Sequence, residues 1–94
     1  MGPELAEFCR QNRIVRLSVF GSAARGDMRP DSDIDLLVEF EPGQAPSLAG
    51  FERLKNKLAN LFGSATIDLA TPSILRNPYR RRAIFADLKE LYAA

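Results

Sequence analysis

A Gly-Ser pair that ends one apolar segment, followed after ten residues by an Asp-x-Asp that opens another, constrains this chain more than anything else in it. The stretch reads Gly21-Ser22-Ala23-Ala24-Arg25-Gly26-Asp27-Met28-Arg29-Pro30-Asp31-Ser32-Asp33-Ile34-Asp35. Upstream, Ile14 to Phe20 alternates in the period of a strand, and Gly21 then allows a sharp turn. Downstream, Asp33 to Phe40 alternates again, with Ile34, Leu36 and Val38 on one face. Strand side chains repeat every two residues, so Asp33 and Asp35 share the other face. A glycine turn is thereby expected beside a pair of carboxylates.

The remaining periodicities supply partners for these two strands. Leu5, Phe8 and Cys9 recur at helical spacing and predict a first helix from Pro3 to Gln11. Ser22 to Gly26 reads as a short helix with Ser22 as its cap, and Asp27 to Ser32 as a polar loop punctuated by Pro30. After a loop marked by Pro42, Gly43 and Pro46, the residues Leu48, Phe51, Leu54, Leu58 and Leu61 trace one face of a helix that Gly63 ends. Ala65 to Ala70 reads as a third strand, with Ile67 and Leu69 facing the core and Asp68 facing away. A turn follows Pro72. Asn77 and Pro78 then read as the cap and first position of a closing helix that carries Ile84, Leu88 and Leu91. The order αβ(α)βαβα implies a small α/β (α+β) domain, a three-stranded sheet flanked by helices, occupying residues 1–94 as one unit.

Composition removes several chemistries. The chain contains no histidine and one cysteine, Cys9. Histidine-based triads, histidine-ligated zinc and an internal disulfide are therefore excluded. Hydrophobic residues make up 46% and charged residues 27%, a folded rather than disordered composition. A net charge of +1 gives no organising attraction to nucleic acid, so direct nucleic-acid binding is not expected. No signal-peptide pattern or membrane-spanning apolar run is visible, and the expected location is cytoplasmic, away from membranes.

What remains is carboxylate and phosphate chemistry. Asp33 and Asp35 hold like charges close together, which is unfavourable unless a cation compensates. Their hard oxygen ligands suit Mg²⁺ or Mn²⁺. If the third strand neighbours the second, Asp68 completes a three-carboxylate site able to take two metal ions. Gly21 has no Cβ to obstruct a phosphate chain, the hydroxyls of Ser22 and Ser32 can donate to it, and Arg25 can offer a bidentate contact. For Arg25 a surface ion pair with Asp27 or Asp31 is the competing reading. An EF-hand fails because Leu36 and Pro42 stand where its glycine and glutamate belong. A P-loop fails because Asp27 follows Gly26 and no lysine is near. The glycosyltransferase Asp-x-Asp occurs in far larger domains. Arg80, Arg81 and Arg82 point about 100° apart on a helix and cannot form one patch.

The segment Gly21 to Leu36 resembles the Gly-Ser-x10-Asp-x-Asp signature of the polymerase-beta-like nucleotidyltransferase superfamily. More narrowly, Gly-Ser-Ala-Ala-Arg-Gly-Asp with Ser-Asp-Ile-Asp-Leu-Leu-Val resembles the minimal nucleotidyltransferases (MNT). Thr66-Ile67-Asp68-Leu69, Asn77-Pro78-Tyr79 and a final helix expected to end Glu90-Leu91-Tyr92 extend the likeness along nearly the whole chain. The resemblance implies a mixed sheet, Asp33, Asp35 and Asp68 as metal ligands and catalytic groups, and Gly21, Ser22 and Ser32 as phosphate ligands. It also implies Mg²⁺, as two ions, and a nucleoside triphosphate whose nucleotidyl group passes to an acceptor. Larger relatives carry an acceptor-binding domain that this chain is expected to lack, so the acceptor is expected on another protein. Similar proteins are antitoxins paired with HEPN toxins, which implies ATP as donor, a toxin tyrosine as acceptor and a hetero-oligomer. A non-catalytic antitoxin that acts by binding, and nucleotidylation of a small molecule, are the alternatives.

Overall fold

The computed structural model describes residues 2–26, 33–63 and 66–94. Along the chain these form α1 (Gly2–Gln11), β1 (Ile14–Phe20), the four-residue α2 (Ser22–Arg25), β2 (Ile34–Phe40), α3 (Leu48–Phe62) and β3 (Ile67–Ala70). A 3₁₀ segment (Pro72–Arg76), α4 (Pro78–Asp87) and β4 (Lys89–Ala93) follow. The strands make one mixed sheet in the order β3-β2-β1-β4. β1 runs antiparallel to both β2 and β4, whereas β2 and β3 are parallel and joined through α3.

The fourth strand corrects the sequence reading. Residues from Leu88 onward were expected to continue the closing helix, but α4 stops at Asp87 and the Leu88 backbone turns extended (φ −60°, ψ 128°). Without β4, the outer edge of β1 would present a row of unpaired backbone groups. Pairing Leu17 with Tyr92 and Val19 with Lys89 satisfies that edge, and Leu91 ends on an exposed strand rather than a buried helix face. Ladder hydrogen bonds to a distant segment outweigh the helical spacing that Leu88 and Leu91 keep with Ile84.

Strand alternation sorts the side chains into two layers. Leu17 and Val19, Leu36 and Val38, and Ile67 and Leu69 join Leu5 and Cys9 of α1 and Leu54 and Leu58 of α3 in the larger core. Each fully buried side chain of this size contributes roughly 1.5–3 kcal/mol. The opposite face carries a smaller cluster of Phe20, Leu37 and Ile84, closed by Ile74, Leu75 and Leu88. Helix boundaries follow local chemistry: the Ser47 hydroxyl accepts from the Gly50 N–H at 3.2 Å, and Gly63 ends α3 in the left-handed region (φ 64°). Burial pushes the Cys9 thiol up to about 11, so the lone cysteine is an inert core residue.

Candidate active site

The carboxylates lie on the face opposite the larger core, at the end of the sheet where β1 runs into Gly21. Parallel pairing puts Asp35 directly beside Asp68, with Ile34 beside Ile67 and Leu36 beside Leu69. Because Leu36 and Leu69 point into the large core, Asp35 and Asp68 must both point away from it. Asp33 precedes β2 by one residue and is exposed. The Asp35 carboxyl sits above the usual carboxylate range, first because burial penalises its charge and then because the Asp68 and Asp33 charges repel it. Arg80 pulls the other way.

Gly21 is built around this carboxylate. Its φ of 71° with ψ of −150° is a conformation open essentially to glycine alone. A Cβ at this position would stand 2.5 Å from Asp35 Oδ2. The turn and the acid therefore occupy adjoining space, and the residue lacking a side chain is what lets β1 turn over Asp35. Gly21, not Ser22, takes the cap position of α2, with its carbonyl accepting from the Ala24 and Arg25 N–H groups at 3.1 Å. Ser22, expected as the cap, is the first helical residue, and its hydroxyl has no partner among the described residues. Ser32 lies outside the described residues.

Two open cavities flank the acidic pair. One of about 410 Å³ is walled by Gly21, Asp35, Arg25, Tyr79, Arg80 and Asp87. The other, of about 490 Å³, is walled by Asp68, Thr71, Ser73, Phe51, Ile74 and Arg80. Arg25 donates from Nη1 to Asp87 Oδ2 at 2.8 Å, tying α2 to the end of α4. Its expected partners Asp27 and Asp31 lie outside the described residues.

Arg80 is the residue that sequence reasoning passed over. Its signal was present: Arg80, Ala83, Ile84 and Asp87 follow one helical stripe, and all four line the first cavity. Arg81 instead stacks over the Phe85 ring at 5.4 Å, so the arginines do diverge.

The donor chemistry fits a hard divalent cation. The acids offer only oxygen ligands, and their mutual repulsion is what such an ion removes. Among the described residues, no three acidic or thiol side chains are gathered closely enough to hold an ion by themselves. Asp35 and Asp68 are the pair whose adjacency the backbone register fixes.

A strand-ending glycine turn packed on paired strand carboxylates, between open cavities lined with cations and hydroxyls, is the framework of an enzyme that transfers phosphate-linked groups. The chain belongs to the nucleotidyltransferase domain family, whose model matches residues 3–91. A Methanocaldococcus jannaschii protein, provisionally named a protein adenylyltransferase, is 36% identical over 76 residues, covering 81% of this chain and 75% of that protein. A solved structure described as a minimal nucleotidyltransferase superposes with a TM-score of 0.73 at 36% identity, covering 94% of this chain and 86% of its own. A chain in the complex of a tri-AMPylated Shewanella oneidensis HEPN toxin with an MNT antitoxin shares the fold, with a TM-score of 0.62 at 21% identity. That match covers 97% of this chain and 68% of the other.

Proposed function

We propose that this nucleotidyltransferase moves AMP from ATP onto a tyrosine hydroxyl of a HEPN-type toxin, releases pyrophosphate, and so acts as the toxin's antitoxin. The observation that carries the reading is the adjacency of Asp35 and Asp68 beneath the Gly21 turn. Three neighbouring negative charges are unfavourable in a surface that only binds a partner, and useful in one that performs transfer. The relative named for adenylyl transfer supports ATP as the donor, and the AMPylated toxin complex supports a HEPN protein as acceptor and a hetero-oligomer as the working assembly. Among the described residues no helix is long and apolar enough to cross a membrane.

In this reading Gly21 admits the phosphate chain and the Ser22 hydroxyl donates to it, with Ser32 as a further donor and Arg25 a cationic wall. Asp33, Asp35 and Asp68 would hold Mg²⁺, as one or two ions, which supplies charge neutralisation at the phosphates. Asp68 faces the second cavity and receives the proton of the acceptor hydroxyl. The acceptor oxygen bonds to the α-phosphorus as the bond from that phosphorus to its bridging oxygen breaks, and pyrophosphate leaves with the electron pair.

Incubation with a HEPN partner, ATP and Mg²⁺, read by intact mass, tests the proposal. One or more AMP additions to the partner are expected, and none with Asp33→Asn or Asp35→Asn. Full inhibition of the toxin at unchanged mass would show a binding antitoxin instead.

A further inference from the structure

Arg80 stands in the first turn of α4, three positions after the Asn77 cap. Asn77 Oδ1 already accepts from the Tyr79 and Arg80 N–H groups at 2.9 and 3.3 Å. The helix end is thus engaged, and the donor capacity at this point of the surface belongs to the Arg80 guanidinium. A cation here faces the positive end of the helix dipole, and α4 has no acidic residue in its first turn to offset it. Arg80 forms no ion pair among the described residues, whereas Arg25 is tied to Asp87 and Arg81 to the Phe85 ring. Its charge reaches Asp35. It also walls both cavities, beside Gly21 and Asp35 on one side and beside Asp68, Thr71 and Ser73 on the other.

We infer that Arg80 is a phosphate-binding residue of this site, donating to the oxygens of the phosphoryl group that passes between the two cavities. The inference rests on the adenylyl-transfer reading and adds a residue to it. During transfer, the new bond from the acceptor oxygen forms on one side of the α-phosphorus while the bond to the departing pyrophosphate breaks on the other. The non-bridging oxygens between them carry the charge. A planar guanidinium at the junction can meet two such oxygens with parallel N–H donors, which a lysine cannot.

The test is calorimetric binding of a non-hydrolysable ATP analogue (AMP-PNP) with Mg²⁺, with folding of each variant checked by circular dichroism. Loss of a hydrogen bond to a charged group is expected to weaken Arg80→Ala by about tenfold or more. Arg80→Lys, keeping the charge without the fork, should fall between it and the wild type, and Arg81→Ala should match the wild type. A smaller loss in Arg80→Ala, or an equal loss in Arg81→Ala, overturns the assignment. If wild-type protein binds the analogue with this Arg80 dependence but adenylylates no partner, the transfer reading alone fails. If it binds no analogue with Mg²⁺ present, both fail.

Discussion

β1 and β2 form one antiparallel ribbon whose two ends handle charge in opposite ways. At one end Arg16 lies between acids on both neighbouring strands, Glu39 at 3.5 Å and Glu90 at 3.3 Å. At the other end Phe20 pairs with Asp35, and Asp35 shares its surroundings with Asp33 and Asp68. The first arrangement sets opposite charges against one another near the solvent, of the kind that contributes little to stability. The second gathers one sign of charge, lifts an acid's pKa and demands a glycine with a backbone nearly no other residue adopts. Paired charges mark where a sheet simply meets water. Like charges held together at a fixed register mark the candidate site.

The largest effect should come from Asp35. Asp35→Asn is expected to lower the initial rate of AMP transfer by about a thousandfold, since several kcal/mol of charge stabilisation are at stake and each 1.36 kcal/mol is tenfold. A variant that kept more than a tenth of the wild-type rate would move the chemistry away from this end of the ribbon. Next comes the turn. Gly21→Ala should destabilise the fold by about 2–3 kcal/mol, because its Cβ would meet the Asp35 carboxylate and its backbone would be strained. Gly26→Ala also has a positive φ but open space around it, and should lose only about 1 kcal/mol. Denaturant midpoints of the two variants compare them directly, and equal losses would show that backbone conformation alone matters at Gly21.

A subtler difference appears with pH. Asp35 is raised above its ordinary 3.8 by burial and then by its acidic neighbours. An acid with a raised pKa keeps its proton longer in the folded chain than in the unfolded one. Its contribution is therefore favourable below the unfolded pKa and is lost as pH rises through the folded value. Metal-free wild-type protein should lose stability across that window, and Asp35→Asn should not. Denaturation curves at stepped pH would contradict this if both proteins followed the same slope. The smallest effect belongs to the opposite end: Arg16→Ala should change stability by less than about 1 kcal/mol and leave AMP transfer intact. A large loss of transfer there would erase the distinction between the two ends.

What could be read from the sequence was local. The alternation of Ile14 to Phe20 and of Asp33 to Phe40 (a strand that starts at Ile34), the α3 stripe ended by Gly63, and the Asn77-Pro78 start of α4 each state their structure within a few residues. The shared face of Asp33 and Asp35 follows from the same alternation. What escaped depends on pairing between distant segments. No glycine or proline announces the break at Leu88, and Leu88 and Leu91 keep a helical spacing with Ile84. The strand over Lys89–Ala93 exists because β1 offers a free edge. Arg80 was hidden in a run of three arginines, and only the stripe it shares with Ile84 and Asp87 aims it toward Asp35. A glycine turn beside the carboxylates was expected, but that it packs against Asp35 in particular, fourteen positions on, needs the folded ribbon to appear.

The strand order β3-β2-β1-β4 has one further consequence. The chain leaves β3 at one margin of the sheet and re-enters it as β4 at the other, carried across by the 3₁₀ segment and α4. The 3₁₀ segment packs over β2 and α4 over β1, so the crossing is shared between them. Ile84, buried against Phe20 and Leu37, fixes which way the helix faces, so that Arg80 falls near Asp35 while Asp87 meets Arg25. A single residue inserted between Ala83 and Asp87 would turn everything after it by about 100° and put one end of the helix out of register with the site.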